Sequence, residues 1–153
     1  MLEIKRSGVH RKVGLLLSEV LRLVRSNPDF YKAGAIGAFI GVVRGETTSG
    51  EAVEKLELES YEEKANDVIN DISKELMKRK GVVDVQIHHF IGEFDVGEDL
   101  VYVVVAGAHR HEVFSTLKEA VERYKKEAPI FKKEHICDEE GTRAYWVSEQ
   151  ETS

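Results

Sequence analysis

Apolar residues recur every three or four positions in VGLLLSEVLRLVRS, where Val13, Leu16, Leu17, Val20, Leu21 and Val24 fall on one side of a helical wheel. The spacing predicts an amphipathic helix over about 12–25, closed before Asn27 and Pro28. Ala, Val and Ile then dominate AGAIGAFIGVVRG. Gly34, Gly37 and Gly41 would weaken a helix there, so the stretch reads as a buried strand with close backbone approaches, ending at Arg44. The polar run GETTSGEA (45–52) reads as a mobile loop. In VEKLELES, Leu56 and Leu58 alternate with Lys55, Glu57 and Glu59, which is the period of a half-buried strand. From Tyr61 to Lys80 the helical period returns, with Ala65, Val68, Ile69, Ile72 and Leu76 in one stripe and Gly81 as the stop.

VVDVQIHHF (82–90) places Val83, Val85, Ile87 and His89 on one face of a strand. GEFDVGED then reads as a turn, and LVYVVVAGA, Leu100 to Ala108, as a central strand buried on both faces. A helix is expected from His111 to about Glu127, with Val113, Phe114, Leu117, Val121 and Tyr124 inward. Pro129 limits it, because the residue before a proline avoids helical angles. Two short strands, IFKKEHI and RAYWVS, flank the acidic turn CDEEG. No repeat or low-complexity segment divides the chain, so 1–153 reads as a single α/β domain. A chain of 153 residues supports one core. Any site must share that core or be completed by a second subunit.

Composition is that of an ordinary globular protein, 42% hydrophobic and 33% charged. No apolar run approaches the ~20 residues a bilayer requires, and MLEIKRSGVHRK lacks the apolar core of a secretory signal. The expectation is a cytoplasmic protein with no membrane association. A net charge of −6 argues against nucleic-acid binding, which normally needs a basic surface. The single cysteine, Cys137, reads as a small buried side chain.

Candidate chemistry gathers late in the chain. AGAHRHEVF sets His109, Arg110 and His111 where a buried strand gives way to a helix. Free backbone N–H groups and an arginine fork there suit an anion, although a solvated loop fits equally well. Arg44 is the first charge after a long apolar strand. If that strand lay beside the one ending at Ala108, with both ending at the same edge, Arg44 and Arg110 would face one cavity. In RYKKEAPIFKKE, Lys125 lies one helical turn beyond Val121, and Lys132 follows Ile130 and Phe131. Both can lay their stems on the core and their amines over a pocket, where a lysine can act as acid/base or accept an acyl group. A solvated charged face is the plainer alternative. His88 and His89 point to opposite strand faces, and no HExxH or CxxC pattern occurs, so no metal is expected. His89 reads as a core histidine held by a hydrogen bond.

FIGVVRG, LELESY followed by EEKA, IHHFIGE, VYVVVAGAHRHEVF, YKKEAPIFKKE and Trp146 occur together and in order. In these the chain resembles the large, catalytic subunit of molybdopterin synthase, from about Gly34 to Trp146. The resemblance implies an α/β hammerhead fold with a mostly antiparallel sheet and packed helices. It also implies a homodimer within a heterotetramer that binds a small ubiquitin-like sulfur-carrier subunit. That partner's C-terminal Gly-Gly thiocarboxylate would deliver sulfur twice to cyclic pyranopterin monophosphate, forming the dithiolene of molybdopterin, with no resident cofactor. By the family pattern, Lys125 and Lys132 match the catalytic lysines, and Phe39, Arg44, His109 and Arg110 match substrate-binding residues. The chain departs from that pattern at Phe90, where an arginine is usual, at Gly45, where an asparagine is usual, and in its N-terminal helix. A non-catalytic docking module and an unrelated anion- or nucleotide-binding protein are the competing readings.

Overall fold

The computed structural model describes residues 7–12 and 14–147. Seven strands and three α-helices follow the chain as β1 (Gly8–Arg11), α1 (Leu17–Arg25), β2 (Ala35–Val42), β3 (Val53–Ser60), α2 (Glu62–Met77), β4 (Val82–Asp95), β5 (Asp99–Gly107), α3 (Arg110–Glu127), β6 (Ile130–Asp138) and β7 (Gly141–Val147). The strands form one sheet in the order β2-β5-β4-β3-β6-β7, with β1 added to β4. Among the described residues only the β1–β4 pairing is parallel. The architecture is therefore α/β with a mostly antiparallel sheet and packed helices, as the sequence led us to expect.

β4 explains how so small a chain carries seven strands. Its first half pairs with β5 and its second half with β3, so one strand belongs to both wings of the sheet. The segment GEFD, read above as part of a turn, continues this strand. Gly92 takes φ +128°, a value side chains resist, where β4 passes from pairing with β5 to pairing with β3, and Phe94 stays buried. The real turn is Val96–Glu98. β1 is the other element the pattern missed. Four residues, GVHR, run beside His88–Ile91, and a hydrogen bond of 2.8 Å joins His10 Nε2 to His88 Nδ1. α1 accordingly starts at Leu17 rather than near residue 12, and Val13 lies outside the described residues.

The core centres on β5, whose Leu100 to Gly107 are all buried. Val103, Val104 and Val105 are inaccessible, each contributing roughly 1.5–3 kcal/mol through burial. α3 packs over β2 and β5, with Val113 close to Gly37. Phe90 and Tyr102, beside Leu15 and Leu16 at the start of α1, alternate along their strands with His89 and Val101, so α1 covers the opposite face. Phe114 does not turn inward as expected; it is 64% exposed, because the buried stripe of α3 runs through Val113, Thr116, Ala120 and Tyr124. Cys137 also departs from expectation, standing exposed near the end of β6. The loop at 45–52 is hydrogen-bonded: Glu46 bridges Ala52, and the Glu51 N–H donates to Thr47 Oγ1 at 3.0 Å, with Thr47 buried.

Gly34 enters β2 against the carbonyl of Ala108, and its N–H donates to Gly107 O at 2.9 Å. A methyl group at Gly34 would overlap that carbonyl oxygen. Gly34→Ala is therefore expected to lower stability by about 1–3 kcal/mol, measured as a lower urea midpoint. An unchanged midpoint would show that the start of β2 yields freely.

Candidate active site

A cavity of about 480 Å³ opens between the end of β2, the start of β5, the C-terminal turn of α3 and strands β3, β4 and β6. Three cations among the described residues line it. Arg44 follows β2, where the apolar strand runs out and the chain turns toward the 45–52 loop. Lys125 sits in the last turn of α3, which stops at Glu127 because Ala128, ahead of Pro129, is extended (ψ 131°). Lys132 lies on β6 opposite Leu58 of β3, on the strand face that looks into the cavity. Phe39 contributes a half-buried ring to the wall.

Four of the six residues singled out from the sequence, Phe39, Arg44, Lys125 and Lys132, thus meet in one cavity. His109 and Arg110 do not join them. β2 and β5 are indeed neighbours, but they are antiparallel: Ala35 pairs with Gly107 and Val42 with Asp99. Arg44 consequently lies at the start of β5, whereas His109 and Arg110 follow its end. Arg110 opens α3 and Lys125 nearly closes it, about 22 Å apart along the axis at 1.5 Å per residue. His109 is the residue before α3, its side chain 79% exposed and its Nδ1 3.7 Å from Glu112 Oε2.

The cavity also holds residues that were not singled out for it. Glu46 comes from the 45–52 loop and Glu134 from β6. The two-residue period of a strand puts Glu134 on the same face as Lys132, a signal that was legible in FKKE. Tyr124 and His89 complete the wall. His89, expected to be a core histidine, is only 3% exposed, and its Nδ1 donates to Phe90 O at 2.9 Å. The Tyr124 ring stands edge-on to it at 5.5 Å. Its neighbour Phe90 faces the other way, packed at 5.2 Å against Tyr102. The missing arginine at position 90 therefore leaves the cavity's charge untouched. Gly45 has little spare room, since a methyl there would come within 3.2 Å of Val96.

Burial pushes the His89 imidazole down to about 4, and the charges of Lys132 and Lys125 press the same way, against the hydrogen bond to Phe90. The unfolded chain takes up this proton near 6.5 and the folded chain only near 4. Between those values the unfolded state binds more protons, so the His89 contribution is complete above 6.5 and is lost as pH falls through the window. The loss amounts to at most about 3 kcal/mol. His89→Gln is expected to flatten the fall in urea stability between neutral and acid pH. Asp84, whose carboxyl is pushed up by burial, acts in the opposite sense but is common to both proteins. An unchanged pH slope in His89→Gln would contradict a neutral, buried His89.

Comparison with known proteins agrees with the sequence resemblance. The MoaE protein family model matches residues 11–127, most of the chain. The molybdopterin synthase catalytic subunit of Pyrococcus abyssi is 39% identical over 143 residues, 94% of this chain and 90% of that one. A probable molybdopterin synthase of Haloferax volcanii is 38% identical over 135 residues, 88% of this chain; the chain spans only 50% of that relative's length. Among solved structures, a crystal structure of molybdopterin synthase from Staphylococcus aureus superimposes with a TM-score of 0.80 at 27% identity, covering 95% of this chain and 98% of that one. The chain belongs to the MoaE protein family, that of molybdopterin synthase catalytic subunits.

Proposed function

We propose that this chain is the catalytic subunit of a molybdopterin synthase, a cytoplasmic sulfurtransferase. It would move sulfur from the C-terminal thiocarboxylate of a small ubiquitin-like subunit to cyclic pyranopterin monophosphate. The observation that carries this reading is the convergence of Arg44, Lys125 and Lys132 on one cavity beside Phe39. Each transfer exchanges one sulfur for one oxygen. A carbon–sulfur bond forms on the pterin side chain as a carbon–oxygen bond there breaks, an acyl–oxygen bond replaces the acyl–sulfur bond of the partner, and the partner leaves as a carboxylate, with no net oxidation. The protein's task is then to align two anionic reactants and to neutralise charge on the oxygen and sulfur atoms in motion, which is work for fixed cations in a walled site.

Lys125 is assigned the central role, as the acid/base or as the amine that takes up the partner's acyl end, with Lys132 in support. Arg44 presents a planar donor fork that fits phosphate, and Phe39 a flat apolar surface for the pterin. A Gly-Gly tail is narrow enough to reach such a cavity and would be held through its backbone.

His109 and Arg110 act on this reading from a second copy. In one chain they lie at the far end of α3, so a substrate held by Lys125 is beyond their reach. A homodimer that sets the start of one α3 over the other copy's cavity would bring them in. The exposed Ile40 and Val42 on β2 and Phe114 on α3 give apolar surface for such a contact to cover. Arg110→Ala is expected to raise the KM for the phosphorylated pterin about tenfold or more while partner affinity is retained. An unchanged KM would remove Arg110 from the substrate site.

A further inference from the structure

The cations of the cavity can only donate hydrogen bonds, and the carboxylates Glu46 and Glu134 accept them. The His89 imidazole is a neutral acceptor among them. Because Phe90 O can only accept, the 2.9 Å contact requires the His89 hydrogen to sit on Nδ1, which leaves Nε2 as a bare lone pair. The Tyr124 ring braces the imidazole edge-on. Nε2 makes no hydrogen bond to any described residue, although the side chain is almost wholly buried and lines the cavity. An acceptor on a cavity wall with no protein donor is open to a hydrogen bond from whatever the cavity binds.

We propose that His89 is a ligand-positioning residue whose Nε2 accepts a hydrogen bond from a neutral N–H of the bound reactant. The proposal rests on the sulfur-transfer reading and deepens it. Arg44, Lys125 and Lys132 would hold the anionic oxygen and sulfur atoms, and His89 would hold the N–H edge, which fixes the rotation that charge attraction alone leaves free. A lone pair repels an oxyanion, so His89 also disfavours the reactant bound the wrong way round. Two N–H donors share this chemistry: the pterin ring system, and the amide of the partner's terminal glycine.

Asparagine places its amide near Nδ1 of the replaced ring, glutamine near Nε2, and leucine offers neither. The three variants His89→Asn, His89→Gln and His89→Leu are compared in the assembled complex. KM for cyclic pyranopterin monophosphate is measured with thiocarboxylated partner, and Kd with the partner ending in a plain carboxylate. Leu and Asn should each lose about tenfold or more in one of these quantities, while Gln stays within about threefold of wild type. A change confined to KM identifies the pterin N–H as the donor, and one confined to partner Kd identifies the glycine amide.

Wild-type values for all three variants in both measurements would overturn the proposal. So would rescue by Asn but not Gln, which would leave only the structural bond to Phe90. In the unmodified protein, imidazole ¹⁵N spectra supply a readout independent of folding in the variants. The Nε2 resonance should have an unprotonated position and move when pterin or partner is added. A resonance unmoved by both would also overturn it. If wild-type protein made no product while the partner-affinity series still followed Leu and Asn, the sulfur-transfer reading would fail and the His89 assignment would stand.

Discussion

Lys125→Ala is expected to lower product formation by at least about a hundredfold, with the chain still folded, still dimeric and still binding its partner. The separation of effects follows from where Lys125 sits. Its stem lies half-buried in the last turn of α3, beside a cavity rather than within packed core. Removing a side chain of this kind costs stability within roughly ±0.5 kcal/mol. The helix itself is held elsewhere, by Val113, Thr116, Ala120 and Tyr124, which are all buried. Loss of the amine should therefore appear in the rate, measured by single-turnover product formation, and not in the melting temperature or in sedimentation. Lys132→Ala should follow with a smaller loss. Loss of the dimer on removing Lys125 would make it structural and return the reaction to the other cations.

Mixing the Lys125→Ala protein with the Arg110→Ala protein, assayed with the phosphorylated pterin well below its wild-type KM, is expected to restore activity above that of either protein alone. If each cavity takes its lysine from one copy and its Arg110 from the other, one mixed dimer carries one doubly damaged site and one intact site. Random exchange makes half the dimers mixed, so about a quarter of wild-type activity should return, as the two-fold relation between copies dictates. If both residues served the same chain's cavity, no intact site could form and mixing would restore nothing. The separation of about 22 Å along α3 is what makes the trans arrangement the physical expectation.

Much of this architecture was legible because burial on both faces leaves a strong mark. The run LVYVVVAGA announces β5, and the stripe from Ala65 to Leu76 announces α2. What escaped was local sequence working against its context. GVHR has too few apolar residues to signal a strand, and it is one because the β4 edge was open to it. GEFD carries the glycine and acids of a turn, yet Phe94 finds a buried place on β4, and Gly92 pairs with Leu58 of β3. The site divides in the same way. Cations that end apolar runs, such as Arg44 and Lys125, could be singled out one by one, but their meeting depends on β2 running antiparallel to β5, which no local pattern encodes. That same pairing parts Arg44 from Arg110. His89 was legible as a buried histidine; that it lines a cavity needed β3 and β6 on one side and the approach of Tyr124 on α3.

The central claim is sulfur transfer, and the most direct measurement is reconstitution. The purified chain is mixed with a small partner carrying a C-terminal thiocarboxylate and with cyclic pyranopterin monophosphate, and molybdopterin formed is compared with thiocarboxylate consumed. The account predicts product, with one partner spent for each sulfur of the dithiolene. A folded dimer that binds the partner, yet makes no product and spends no thiocarboxylate, would contradict it and leave the cavity lysines as a recognition surface.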